Sequence, residues 1–377
     1  MKILWWSDAF WPCIGGIEVL GAKLLEWLAG RGFEAVVVTS HQGLGLPDKE
    51  IRNGIRICRF PFHEALRSRR PDLQAAAIRD VRRLKRDFHP DIVHVNFPSP
   101  GSLYHLLTRD VCKAPALAAV RSALPAGHLG PETLVGKMLR VSSWITANSR
   151  SMLEQVRTAV PEINEKSSVV YNGLETPDVE PVPMCFERPV IACVARLVEK
   201  KGIDVALRAF AMLRKRIPEA SLVIAGDGPE RGPLESLTLE LGLAEAVTFL
   251  GWMDPARIPD LMNQACVVVV PSRRLEPFGN VAVEAMQMAR PVIATDQGGL
   301  PEVVKNGETG FVVRAEDSVA LAEAAVRLLE NPSLARRLGQ AGRERAQRRF
   351  SLDRYAREYE VLYRQIVDRE KRADAPC

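Results

Sequence analysis

Short apolar runs alternate with stretches of helical spacing along almost the whole chain. Residues 2–7 (KILWWS) form the first run and the pair Gly15-Gly16 follows. Residues 17–29 then place Leu20, Leu24, Leu25 and Leu28 on one helical face, before Gly30 and Gly32 end it. Similar runs recur at 35–39, 55–59, 92–95, 116–120 and 144–147. A second series starts near Val190, with runs at 190–194, 222–225, 247–250, 267–270, 292–295 and 310–313 and helical spacing between them, as at 204–215 and 281–288. Such runs read as strands covered on both faces, and their alternation with helices predicts parallel sheets. The proline-rich stretch 176–189 lacks periodicity and reads as a linker between two α/β domains, 1–178 and 179–351. Residues 334–372 read as a long, highly charged helical tail.

Length and composition agree with this division. The 377 residues are too many for one comfortable core, and 47% apolar with 26% charged residues is ordinary for a globular protein. The seven cysteines (Cys13, Cys58, Cys112, Cys185, Cys193, Cys266, Cys377) show no C-x-x-C pair and no metal-ligand spacing, so reduced thiols in a cytoplasmic protein are expected. The first residues do not read as a signal peptide, and no apolar run is long enough for a membrane span.

Charge changes the picture. Residues 1–178 carry 23 Lys+Arg against 18 Asp+Glu, whereas the remainder carries 28 of each, so the whole excess of +5 falls in the first half. It is densest in Arg67, Arg69, Arg70, Arg79, Arg82, Arg83, Lys85 and Arg86. This run is either a solvated helix face or a patch for an anionic acceptor or the inner face of a membrane, contacted peripherally. Nucleic acid is not expected, since no nucleic-acid motif and little aromatic interleaving accompany the charge.

The candidate chemistry lies mostly in the second half. Glu276-Pro-Phe278-Gly279-Asn280 leads from the run at 267–270 into the next helix, and Glu284 lies one turn inside it. Backbone N–H groups at such a helix start suit an anion, and carboxylates on either side can take sugar hydroxyls. Arg196 and Lys201 follow the run at 190–194, where both cations suit a diphosphate. No D-x-D occurs, so metal bridging is not signalled and no metal is expected. Gly226-Asp-Gly228-Pro229 is a tight turn or a backbone approaching a nucleotide, and it lacks dinucleotide-fingerprint spacing. Gly15 and Gly16 allow the same two readings.

Gly15-Gly16-Ile-Glu18, Tyr171-Asn-Gly173, Ala195-Arg196-Leu to Lys201-Gly202, Ala225 to Pro229, Phe249-Leu-Gly251, Pro271-Ser272, the Glu276/Glu284 pair and Gly298-Gly-Leu-Pro-Glu302 occur in this order over nearly the whole chain. The ordered set resembles family 4 of the glycosyltransferases. That resemblance implies the GT-B fold, two tandem Rossmann-like domains facing across a cleft, with the helix about 352–370 packing back on the first. It implies retaining transfer of a hexose-type sugar from a nucleotide-sugar, expected to be a UDP-sugar, without a cofactor. Arg196 and Lys201 would hold the diphosphate and Glu276 the sugar hydroxyls. Phe278, Gly279 and Asn280 would offer backbone contacts, and Glu284 would take the ribose hydroxyls. Gly16 would lie near the diphosphate across the cleft, and Gly226 and Gly251 would border the base.

The acceptor side departs from the family pattern. Where relatives carry histidine near the reacting sugar, this chain has Arg121 or Ser122, with His128 displaced from that place and kept as a catalytic candidate, and Asn96 replaces another frequent histidine, so Asn96, Arg121 and Ser122 are the acceptor-side candidates. The acceptor is expected to be a lipid-linked sugar or a small metabolite. The other readings are a non-catalytic transferase-like partner subunit, and a nucleotide-sugar epimerase or phosphorylase of the same fold.

Overall fold

A computed structural model describes residues 1–13 and 15–373. The chain divides into two compact units, Met1–Gly173 with the C-terminal segment from Leu352, and Leu174–Ser351.

The first unit holds eight strands: β1 (Lys2–Trp6), β2 (Glu34–Ser40), β3 (Lys49–Arg52), β4 (Ile55–Phe60), β5 (Ile92–Val95), β6 (Ala116–Val120), β7 (Trp144–Ala147) and β8 (Ser167–Val169). Their order is β3-β4-β2-β1-β5-β6-β7-β8, parallel throughout except for the antiparallel pair β3 and β4. Successive side chains alternate between faces. Trp5 joins the core with Leu20, Leu24, Leu25 and Leu28 of the helix Gly16–Ala29. Trp6, on the other face, stacks on Phe62 at 5.7 Å. β3 is short and polar, so no apolar run announces it, and Asn53-Gly54, both at positive φ, make its turn.

The C-terminal helix Leu352–Ala373 belongs to this unit. Tyr355, Tyr359, Tyr363 and Ile366 form a stripe at helical spacing and are buried in the first core. Aromatic side chains bury about 150–250 Å² each, which is reason enough for the helix to sit there.

The second unit is a six-stranded sheet, β9 (Val190–Val194), β10 (Ser221–Ala225), β11 (Val247–Gly251), β12 (Val267–Val270), β13 (Val292–Thr295) and β14 (Gly310–Val313), in the order β11-β10-β9-β12-β13-β14. The chain winds outward from β9 on one side and from β12 on the other. β9 and β12 therefore flank a topological switch point, where open α/β sheets take ligands beyond the carboxyl ends. β1 and β5 flank the corresponding point of the first sheet.

The linker, the charged tail and the basic run differ in detail from the sequence reading, while the helix expected at about 352–370 does belong to the first unit. The stretch 176–189 is not a free linker: Val182 N donates to Asn263 Oδ1 (3.1 Å), Arg290 donates to Val182 O (2.6 Å), and Met184 is buried in the second core. The chain passes between units at Gly173/Leu174 and returns at Ser351/Leu352. The charged tail is two helices, Pro332–Arg349 in the second unit and Leu352–Ala373 in the first. Lys85 of the basic run is buried, its ammonium donating to the carbonyls of His105 (3.4 Å) and Thr108 (3.0 Å). Desolvation lowers its pKa to about 8. Arg70 and Arg82 pair with Asp72 and Asp110. The six described cysteines are free thiols, and Cys377 lies outside the described residues. No helix among the described residues is long and apolar enough to cross a membrane.

Candidate active site

The loops after β9 and β12 are stitched together at the switch point of the second sheet. Leaving β9, Ala195 N donates to Ala225 O (3.0 Å) and Leu197 N to Asp227 O (2.9 Å). Gly226, at φ +134°, packs so closely here that a Cβ would lie 1.8 Å from Ala195 O. Gly226 thus shapes the Arg196 loop, and its N–H donates to Gly251 O at the end of β11 (2.7 Å). Arg196 is exposed, and no ion pair among the described residues holds its guanidinium.

The chain then turns through Glu199–Lys201. Arg273, just past β12, ties this turn down: its N–H donates to Lys200 O (2.9 Å), and its guanidinium donates to Asp204 (2.6 Å) and Glu199 O (3.2 Å). The Lys201 ammonium thereby reaches Glu276 Oε2 at 2.5 Å, and Ser272 Oγ donates to the same oxygen at 2.9 Å. Glu276 Oε1 has no donor among the described residues. Behind Glu276 the backbone is fixed by Gly299 N, which donates to Glu276 O (2.8 Å), and by Gly298 at φ +60°, where a Cβ would lie 2.2 Å from that carbonyl.

Gly279, at φ +106°, opens the helix Asn280–Gln287, whose positive dipole end lies at this edge of the sheet. Phe278 is buried edge-to-face on Phe350 at 5.5 Å, so only its backbone is on offer. Glu284 is partly open to solvent, yet desolvation of its carboxyl dominates and raises its pKa to about 7. No hydrogen bond or ion pair among the described residues holds that carboxyl.

The sequence-predicted residues of the first unit fare differently. Gly15 caps the helix Gly16–Ala29, and Gly16 is exposed. Arg121 is only 4% exposed. Its guanidinium donates to Asn96 Oδ1 (2.8 Å), Tyr355 (2.6 Å), Tyr359 (3.2 Å) and Asn172 (3.4 Å). Asn96 is equally buried. Both belong to a polar core network around the C-terminal helix, so each side chain already has protein partners. In the same core, burial and then the Arg121 charge hold His94 well below the usual histidine value. Ser122 is half-buried after β6, and His128 is exposed in the turn Ala126–His128.

Comparison with known proteins identifies the family. The model for "Glycosyltransferase Family 4" matches residues 14–177, and that for "Glycosyl transferases group 1" matches 186–345. A relative from Mycobacterium tuberculosis, the GDP-mannose-dependent alpha-(1-6)-phosphatidylinositol monomannoside mannosyltransferase, is 36% identical over 91% of this chain and 93% of its own. The chain belongs to family 4 of the glycosyltransferases.

Solved structures show the same fold for this glycosyltransferase. Sucrose-phosphate synthase from Thermosynechococcus elongatus is 25% identical, covering 97% of this chain and 98% of its own with a TM-score of 0.81. Anabaena Alr3699/HepE, solved with UDP, is 23% identical, covering 97% and 100% with a TM-score of 0.80. The protein is a nucleotide-sugar-dependent glycosyltransferase of GT-B fold. Two supports of its Glu276 were not singled out in the sequence, Ser272 and Arg273. Pro271-Ser272 marked the place, but only the fold shows that the hydroxyl bonds Glu276 and that Arg273 brings the Lys201 turn to it.

Proposed function

We propose that this glycosyltransferase moves a hexose with retention of anomeric configuration, from a nucleoside diphosphate held by the second unit, without a metal. The observation that carries the reading is the convergence of Lys201 and Ser272 on one oxygen of Glu276, with Arg196 exposed in the same loop after β9 as Lys201. This leaves Oε1 free to accept from a hydroxyl of the transferred sugar. Arg196, Lys201 and the start of the helix Asn280–Gln287 stabilise the charge that grows on the diphosphate as its bond to the anomeric carbon breaks. Two cations at this place supply what a bridging metal otherwise would. Glu284, one turn inside the helix, accepts from the ribose hydroxyls. The acceptor oxygen bonds the anomeric carbon on the face the diphosphate leaves, and its proton passes to the leaving phosphate.

The named relatives differ in nucleotide, GDP-mannose in one and UDP in the other. The proposal therefore covers both UDP- and GDP-hexoses. The first unit takes the acceptor, and the net positive charge of residues 1–178 favours one presented at an anionic membrane surface.

The test is proton NMR of the sugar released or transferred from α-linked UDP- and GDP-hexoses, with EDTA present throughout. The α-anomer appearing first supports retention without metal. A β-anomer, or activity abolished by EDTA and restored by a divalent ion, overturns that part of the reading.

A further inference from the structure

The first sheet has its own cluster at its switch point, used by nothing above. Asp8 follows β1, Gly101 follows β5, and His63 follows β4. These strands run parallel within the adjacent set β4-β2-β1-β5, so all three residues lie beyond carboxyl ends at one edge. The Asp8 carboxylate accepts the Gly101 N–H (3.0 Å), and His63 Nε2 stands 3.0 Å from its other oxygen. The Asp8 carbonyl is fixed as well, accepting from Thr39 Oγ1 (3.0 Å), Ser40 N (3.1 Å) and Gln42 Nε2 (2.6 Å). Asp8 is therefore a rigid, mostly buried support, with 15% of its side chain exposed against 29% for His63.

The pair at His41 and Asp48 shows the contrast. It has the same chemistry at 2.8 Å, but its carboxylate is 83% exposed. A surface pair of that kind fixes little.

A carboxylate only accepts, so Asp8 places the proton of the neutral imidazole on Nε2 and leaves the lone pair on Nδ1. Nδ1 is then an oriented hydrogen-bond acceptor on a part-exposed side chain, at the position where an α/β sheet takes its ligand. A hydroxyl proton is the partner this atom suits.

We propose that His63, with its ring oriented by Asp8, binds a hydroxyl of the sugar acceptor through Nδ1, and that the acceptor is accordingly a polyol or sugar, free or carried as a lipid headgroup. This rests on the transfer reading given above. It narrows the acceptor class and adds a residue for it, apart from the buried Arg121 and Asn96.

Two substitutions separate binding from support. His63→Asn puts an amide oxygen near the place of Nδ1, whereas His63→Gln puts its amide nitrogen near Nε2, where it still donates to Asp8. Labelled UDP- and GDP-hexoses are offered with two acceptor arms, free myo-inositol and D-mannose, and phosphatidylcholine vesicles containing phosphatidylinositol. Nucleotide binding to the wild type is measured in parallel by calorimetry.

The expected result is transfer in at least one arm, which names the source. His63→Asn should keep kcat/KM for that acceptor within about fivefold, and His63→Gln should lose about 10- to 100-fold. The reverse order would make His63 a support for Asp8 and overturn the proposal, as would equal effects in the two variants. Nucleotide binding with transfer in neither arm overturns the acceptor class while sparing the donor site. No nucleotide binding at all removes the transfer reading, and this proposal falls with it.

Discussion

Two arginines stand just past parallel strands, and the fold uses them in opposite ways. Arg121 follows β6 directly and turns inward, where two tyrosines and two asparagines satisfy its guanidinium. Arg196 follows β9 and stays open, beside a lysine that is itself bonded to a glutamate. One charge holds the C-terminal helix to the first core, while the other is exposed and is the one we propose for the donor diphosphate. The difference comes from what packs over each strand end. The Tyr355-Tyr359-Tyr363 stripe covers the first, whereas Arg196 is exposed and has no ion pair among the described residues. A cation after a strand is thus a binding residue only if the fold does not supply its partners.

The comparison breaks most readily at Arg121. Arg121→Met leaves the Tyr355 hydroxyl and Asn96 Oδ1 without their donor, while Tyr359 keeps Thr146; a buried neutral group left unsatisfied costs about 1–3 kcal/mol. Thermal or urea unfolding should show that loss, with nucleotide affinity unchanged wherever the variant is folded. A small stability change together with lost nucleotide binding would merge the two arginines into one role.

Glu276→Ala comes next. Removing a preorganised partner of the reacting sugar lowers kcat by about 10²- to 10³-fold, with nucleotide affinity changed less than about threefold. Equal losses in rate and affinity would place Glu276 on the nucleotide instead. Arg196→Ala removes charge-assisted hydrogen bonds worth about 1.5–3 kcal/mol, so nucleotide affinity should fall roughly 10- to 100-fold with no change in Tm. A fall in Tm would make Arg196 structural like Arg121.

The smallest effect is a pH dependence. Glu284 holds its proton to about pH 7, above the usual 4.5 that it regains on unfolding. Between those values the folded state binds more protons than the unfolded state, so this group's contribution to stability falls as pH rises and stays low above about 7. Glu284→Gln should therefore raise Tm more at pH 8 than at pH 4.5. Nucleotide affinity should rise through pH 7 in the wild type, as the carboxylate becomes a full acceptor, and stay flat in the variant. An equal gain in Tm at both pH values would contradict the raised pKa.

Much of the fold is legible in the sequence. The short apolar runs are the strands, most of them buried on both faces, although β11 and β14 are partly exposed. Strands with little apolar signal were not read: β3 alternates charged residues, although its Asn53-Gly54 turn is a sequence signal that could have found it. The charge run misled at Lys85, because residue type does not reveal that the carbonyls of His105 and Thr108 await it. In the site, Glu276, Lys201 and Arg196 were legible as types at strand ends. Their meeting was not, since Lys201 and Glu276 are 75 residues apart and only the order β9-β12 makes them neighbours. Asp8 and His63 were missed for the same reason, 55 residues apart on strands that only the sheet order brings near.

The most direct test is titration calorimetry of UDP and GDP into the full chain with EDTA present, on the wild type, Arg196→Ala and Arg121→Met. Binding of at least one nucleotide to the wild type, weakened at least about tenfold in Arg196→Ala and kept in folded Arg121→Met, is the predicted result. Binding that requires a divalent ion, or that survives in Arg196→Ala and vanishes in folded Arg121→Met, would contradict the account.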